Sequence, residues 1–198
     1  MITRREIGVL GLGVVAGLAL ASCATSDAPL LPELTFAHLA PIRFNAATVE
    51  IVDLYRPPLA APNVEHTFPR SPAAAARAWA RQRVAAAGGN GLVTVTIHDA
   101  SVVATHLTTR PGVMWLFFDQ QSIRYDAVLE VTIEYDGPLV AESPSRSRVL
   151  KSQTVPESIS LNEKDRVFYE LLEGIMQDLD EQLAAAISQY MGAVLIQA

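Results

Sequence analysis

Residues able to do chemistry are few in this 198-residue chain and lie far apart: one cysteine, Cys23, and four histidines, His38, His66, His98 and His106. Helical metal ligands come in pairs three or four residues apart, and no two of these histidines have that spacing. His98 and Asp99 are adjacent in a strand-like segment, which sends their side chains to opposite faces. Asp178, Asp180 and Glu181 sit on a helical run whose other side is apolar, so they read as a solvated face rather than as a general acid or base. Gly88-Gly89-Asn90-Gly91 follows a helical run instead of a strand and lacks the lysine and serine of a phosphate loop; it reads as a helix stop. Ser143, Ser145, Ser147 and Ser152 fit no nucleophile-elbow pattern. The expectation is a non-enzymatic protein with no metal, no cofactor and no catalytic residue.

Cys23 is the exception, because of what precedes it. Arg4 and Arg5 make a short basic start, Ile7 to Leu20 is apolar, and small residues lead to the thiol. A secretory signal has this three-part build. Its last four residues, Leu20-Ala21-Ser22-Cys23, resemble the lipobox of bacterial lipoproteins. That resemblance implies cleavage between Ser22 and Cys23 and a covalent lipid on the Cys23 thiol. Two or three acyl chains then hold the protein at a membrane practically permanently, where one would bind marginally. Ala24 stands where an aspartate would favour the inner membrane, which implies an outer-membrane address facing the periplasm. The competing reading is a single transmembrane anchor, but Gly8 to Ala21 is 14 residues, short of the roughly 20 that a spanning helix needs. Thr3-Arg4-Arg5-Glu6-Ile7 also looks like a twin-arginine signal, which leaves two export routes open.

Charge narrows the partners. The formal charge is −6, and removal of residues 1–22 takes out Arg4, Arg5 and Glu6, leaving −7. An acidic domain has no electrostatic reason to bind nucleic acid, and it gains nothing from an anionic lipid surface. With Cys23 acylated no thiol remains, which excludes disulfides, thiolate catalysis and cysteine-held metals.

The elements follow from periodicity. Residues 23–42, with Pro29, Pro32 and Pro41, read as a lipidated tether, part of which lies along the domain or a partner because Leu30, Leu31, Leu34, Phe36 and Leu39 are too apolar for a free linker. Thr48–Tyr55 predicts a strand, stopped by Pro57-Pro58. Ser71-Pro72 predicts a helix start, and the alanine-rich run to Ala87 a helix closed by Gly88. Its apolar side is Ala76, Trp79, Ala80, Val84 and Ala87, with Arg77, Arg81 and Arg83 toward solvent. Leu92–Leu107 predicts one long strand, bulged or bent at Asp99-Ala100-Ser101.

Ile123–Tyr135 alternates most cleanly, with apolar odd positions and mostly polar even ones, so one sheet face is covered and the other wet. Val140–Val155 predicts a fourth strand, made a basic, solvent-facing edge by Arg146, Arg148 and Lys151. Ser160-Leu161-Asn162-Glu163 predicts a capping box, and an apolar stripe from Phe168 through Leu172, Leu179 and Ile187 to Tyr190 predicts a helix reaching about Met191. The expected architecture is a single α+β domain over residues 43–192, with two helices on one face of a four-stranded, mostly antiparallel sheet in the order strand, helix, three strands, helix. Residues 193–198 form an unassigned tail.

One connection breaks the pattern. Between the second and third strands, Val113, Met114, Trp115, Leu116, Phe117 and Phe118 put six large apolar residues where a hairpin loop is normally polar. They either extend the strands or tuck under a helix, or they form a contact surface for a protein partner or a lipid.

Lipobox, tether and element order together resemble small outer-membrane lipoproteins of lipid-transport machinery: the lipopolysaccharide-assembly lipoprotein that sits within a translocon barrel, and the auxiliary lipoproteins of ABC-type transporters. The resemblance implies an accessory or assembly factor in envelope biogenesis or lipid transport, with an envelope protein as partner. A periplasmic carrier of lipid or another small ligand is the alternative, and it requires a pocket between helices and sheet.

Overall fold

The structure is a computed structural model that describes residues 31–107 and 122–196. Seven strands and two α-helices run in the order β1 (Ile42–Phe44), β2 (Thr48–Asp53), α1 (Pro72–Arg83), β3 (Val84–Ala86), β4 (Leu92–Asp99), β5 (Val102–Leu107), β6 (Ser122–Asp136), β7 (Ser145–Pro156) and α2 (Leu161–Tyr190). The long strand β6 is the spine. On one edge it pairs antiparallel with β7 over Ser122–Ile133; its other edge carries β5 and then β4, also antiparallel. β2 adds to β4 in parallel, with α1 in the crossover between them. Such a connection is what a parallel neighbour requires.

The fold is α+β with two helices, but the sheet differs from expectation. Five strands form it, and a separate two-stranded parallel ribbon joins β1 to β3. The segment expected as one long strand, Leu92–Leu107, is two. Asp99 Oδ1 accepts the Ser101 amide at 3.0 Å, Ala100 is fully buried, and the register shifts between Ile97 and Asp99. An aspartate that captures the amide two residues ahead closes a local turn, and the ladder breaks there.

Helix α1 is shorter than expected. It starts as the sequence indicates, with Ser71 Oγ accepting from the Ala74 amide and Pro72 at the first helical position. It ends at Arg83, not Ala87, because Val84–Ala86 turn extended and pair with Ile42–Phe44, and the Ala87 amide then donates to the Phe44 carbonyl at 2.9 Å. Alanine's helix propensity is a fraction of a kcal/mol per residue, so a ladder of tertiary hydrogen bonds outweighs it. The turn after β3 needs glycine: Gly89 has φ 101°, and a Cβ there would run into the Asn45 side chain. Helix α2 has its full capping box, Ser160 Oγ taking the Glu163 amide and Glu163 returning to the Ser160 amide.

The core lies on one face of the sheet. Val93, Val95, Ile97, Leu129, Val131 and Ile133 are fully buried, alternating along β4 and β6 as their period predicts. Trp79 from α1 and Leu179 and Leu183 from α2 complete it. The C-terminal stretch is stitched to the ribbon: the Asn45 amide donates to the Val194 carbonyl at 2.8 Å, and the Ile196 amide to the Arg43 carbonyl at 2.9 Å. At the other terminus Leu34 and Phe36 are buried, and β1 begins at Ile42, within the stretch read as tether.

Candidate functional site

The sequence-derived sites, Ser22 and Cys23 and the apolar run Val113–Phe118, lie outside the described residues. What flanks them is described. Leu107 and Ser122 are register partners and the described ends of β5 and β6, on either side of residues 108–121. Ser122 also pairs with Pro156 at the end of β7, beside the start of α2. Three residues along β6, a span of about 10 Å, the Tyr125 ring meets Phe168 of α2 edge-on at 4.9 Å. Phe168 also stacks on Phe68 at 3.9 Å. Leu31, where the described chain begins, lines a cleft with Phe68 and Phe168. Leu31 and Tyr125 thus both pack at the Phe68–Phe168 pair, with Ser122 three residues farther along β6.

Residues 31–39 run as a strap beside α2. Few bonds hold them: the Phe36 amide and the Thr35 hydroxyl donate to Gln82 Oε1 at 2.7 and 3.3 Å, and Arg70 Nη1 donates to the Leu34 carbonyl at 2.8 Å. Two cavities flank Leu34. One, of about 240 Å³, is walled by Leu31, Phe68, Phe168, Tyr169 and Leu172. The other, of about 390 Å³, lies between the strap residues Phe36, His38 and Leu39 and the α2 residues Glu173, Met176 and Glu181.

Buried charge is concentrated at three places that the sequence did not mark. Asp180, expected on a solvated face, is 9% exposed and holds Trp79 Nε1 at 2.8 Å and Arg83 Nε at 2.7 Å. Arg83, expected toward solvent, is accordingly drawn inward. The reason is geometric: where α1 crosses α2, the indole N–H must find an acceptor. Asp178 belongs to a surface pair with Lys151, whose side chain faces the helix and not open solvent. Arg146 and Arg148 keep to the outer face of β7, where both pair with Glu130. Glu130, expected on the wet face, is 6% exposed because these arginine stems lie across it.

Glu65 is the third. It sits at the start of a 3-10 turn, 2% exposed, and accepts the Tyr55 hydroxyl at 2.7 Å and the Val102 amide at 3.2 Å. Asn63 Nδ2 donates more weakly at 3.4 Å. Burial, and then this hydrogen bond to a carboxylate, push the Tyr55 hydroxyl well above its ordinary range. The arrangement pins the loop 57–69 to the β4–β5 break. No local signal distinguishes Glu65 from any loop glutamate, because its partners come from β5 and from ten residues upstream.

The histidines do not converge. His38, His66, His98 and His106 are all exposed, and His98 Nε2 lies 3.0 Å from Thr132 Oγ1 on the open sheet face. Among the described residues no group of three or more His, Cys, Asp or Glu side chains could hold a metal ion. No described helix is long and apolar enough to cross a membrane.

No protein-family model matches this chain, and no curated protein does. Among solved structures it is similar to a minor lipoprotein from Acinetobacter baumannii, at 10% identity over 80% of this chain and 100% of that chain, with a TM-score of 0.35. It is also similar to rare lipoprotein B from Shewanella oneidensis, at 9% identity over 72% of this chain and 95% of that chain, with a TM-score of 0.36.

Proposed function

We propose that this chain is an outer-membrane-anchored, periplasm-facing lipoprotein, lipidated on Cys23, that acts as a non-enzymatic accessory or assembly factor in envelope biogenesis or lipid transport. The lipobox-like Leu20-Ala21-Ser22-Cys23 supplies the anchor. The domain follows closely: Cys23 is 11 residues from the buried Leu34, a reach of at most about 40 Å fully extended. The observation that carries the reading is the shared end of the domain. Leu31 of the strap that leads back to Cys23 lines a cleft with Phe68 and Phe168, and Tyr125, three residues along β6 from Ser122, packs edge-on against the same Phe168. The reading assigns partner contact to the apolar run Val113–Phe118, which the sequence places between Leu107 and Ser122.

The test is a mild-detergent pull-down of the full-length lipoprotein from its native envelope, with proteins and lipids identified by mass spectrometry. The reading expects a barrel or transporter component, lost on Trp115→Ala with Phe117→Ala in a protein of unchanged melting temperature. Partner recovery that survives both substitutions would remove the hairpin from the mechanism. Recovery of lipid with no protein partner would replace the accessory role with that of a carrier.

A further inference from the structure

The trough beneath the strap is a built cavity with a selective rim. Its larger chamber, about 390 Å³, falls in the range of small-molecule sites, about 300–1,000 Å³. Phe36, Leu39 and Met176 give it an apolar floor, and beyond Leu34 the smaller chamber continues along α2 past Leu172 to Phe168. One wall of both chambers is the strap, which belongs to neither sheet nor helix and is pinned by Gln82 and Arg70. Opening that wall breaks these side-chain hydrogen bonds and uncovers the buried Leu34 and Phe36, but leaves the sheet ladders intact.

The rim is acidic. Glu173, Gln177 and Glu181 follow one another at intervals of four along α2, forming a single line beside the larger chamber. Neither Glu173 nor Glu181 makes an ion pair among the described residues, whereas Asp180 is already matched by Arg83. The strap answers with Thr35 and His38, neither a fixed positive charge. At the far chamber Arg70 and Glu33 lie 3.9 Å apart, and Lys164 sits over the Phe168 ring at 5.2 Å. Tyr169, which lines the smaller chamber one helical turn before Glu173, has its hydroxyl pKa raised by burial and then by the Glu173 charge.

We propose that this trough binds a single-chain amphiphile with a cationic head, its hydrocarbon tail lying along α2 beneath the strap and its head held at Glu173 and Glu181. Apolar burial supplies the affinity, at roughly 25 cal/mol per Å² of tail surface. The unmatched carboxylates supply the discrimination and repel an anionic head. The proposal is argued from residues 31–39, 68–70 and 168–181 and does not depend on lipidation of Cys23.

Photo-crosslinking of the full-length chain in phosphatidylcholine nanodiscs tests this. The probes are a decyltrimethylammonium with a diazirine in its chain and the matching decyl sulfate, and labelled peptides are mapped by mass spectrometry. The ammonium probe labels residues 31–39 and 168–181 saturably, and the sulfate labels them about tenfold less, as expected for roughly 1.4 kcal/mol of charge selectivity. Glu173→Gln with Glu181→Gln, both on the exposed side of α2, abolishes that preference at an unchanged melting temperature. Equal labelling by the two probes, an undiminished preference in the double variant, or saturable labelling confined to other peptides each overturns the proposal. Loss of the envelope partner with trough labelling intact would bear on the accessory role alone.

Discussion

Arg83 on α1 and Asp180 on α2, 97 residues apart in sequence, form a largely buried ion pair with Nε 2.7 Å from Oδ1. The same Oδ1 takes the indole N–H of the fully buried Trp79. One carboxylate therefore fixes how the two helices meet over the sheet. Its removal leaves a guanidinium and an indole N–H buried without acceptor, which costs far more than the intact pair contributes. Asp180→Ala should destabilise the domain by about 3–5 kcal/mol in urea unfolding, and Asp180→Asn, which keeps an acceptor, by clearly less.

Glu65 and Tyr55 predict an alkaline limit to stability. The Tyr55 hydroxyl is raised above its ordinary 10.0 by burial and then by the Glu65 hydrogen bond, and burial raises Tyr125 and Tyr169 as well. A folded-state pKa above the unfolded one means that folding favours the protonated hydroxyl. Stability is then fully present below pH 10 and declines as the pH rises toward the folded values. Thermal melts from pH 8 to 11 should fall off above 10, less steeply in Tyr55→Phe.

The acid limit has the opposite sign. Asp126 is lowered chiefly by the Ser152 hydroxyl, and Glu163 by the backbone and side-chain hydrogen bonds of Ser160. Groups with lowered folded pKa contribute stability above their unfolded values, here 3.8 and 4.5, and lose it as pH drops through the lowered ones. The melting temperature should fall below about pH 4.5. Ser152→Ala and Ser160→Ala should each flatten that descent.

Phe168 joins three parts of the domain: it stacks on Phe68, meets Tyr125 edge-on and has Lys164 over its ring at 5.2 Å. Phe168→Ala should cost about 3–5 kcal/mol. It should also loosen the end of the domain shared by strap and hairpin, seen as faster amide exchange in residues 31–39 and 122–125. Unchanged exchange there would show that the cluster does not couple the two.

Cys23 lies 11 residues upstream of Leu34, the first buried side chain among the described residues. Cys23→Ala should therefore abolish palmitate labelling and membrane sedimentation while leaving the melting temperature unchanged. A variant that still sediments with membranes would reinstate the transmembrane-anchor reading of Gly8–Ala21.

Much of the architecture is written in local patterns. The alternation of Ile123–Tyr135 sets which face of β6 is buried, and the caps at Ser71 and Ser160 set where both helices start, because each depends only on neighbours a few residues away. The Asp99-Ala100-Ser101 interruption was visible as a break in period. The residues that secure the fold's long-range contacts were not visible. Val84–Ala86 leave a good helix because β1 lies beside them, and nothing within the alanine run announces that partner. Asp180 and Glu65 look like surface carboxylates until α1 and β5 arrive to bury them.

The candidate sites divide the same way. The lipobox-like run and the apolar 113–118 segment are properties of consecutive residues, so sequence alone determines them. The trough exists only because the strap, α1 through Gln82 and the Phe68 loop through Arg70 converge on α2, with lining residues of one chamber, Leu34 and Glu181, 147 residues apart. Local periodicity carries information about faces, whereas a cavity is what remains between faces after they meet, and only the tertiary structure decides that.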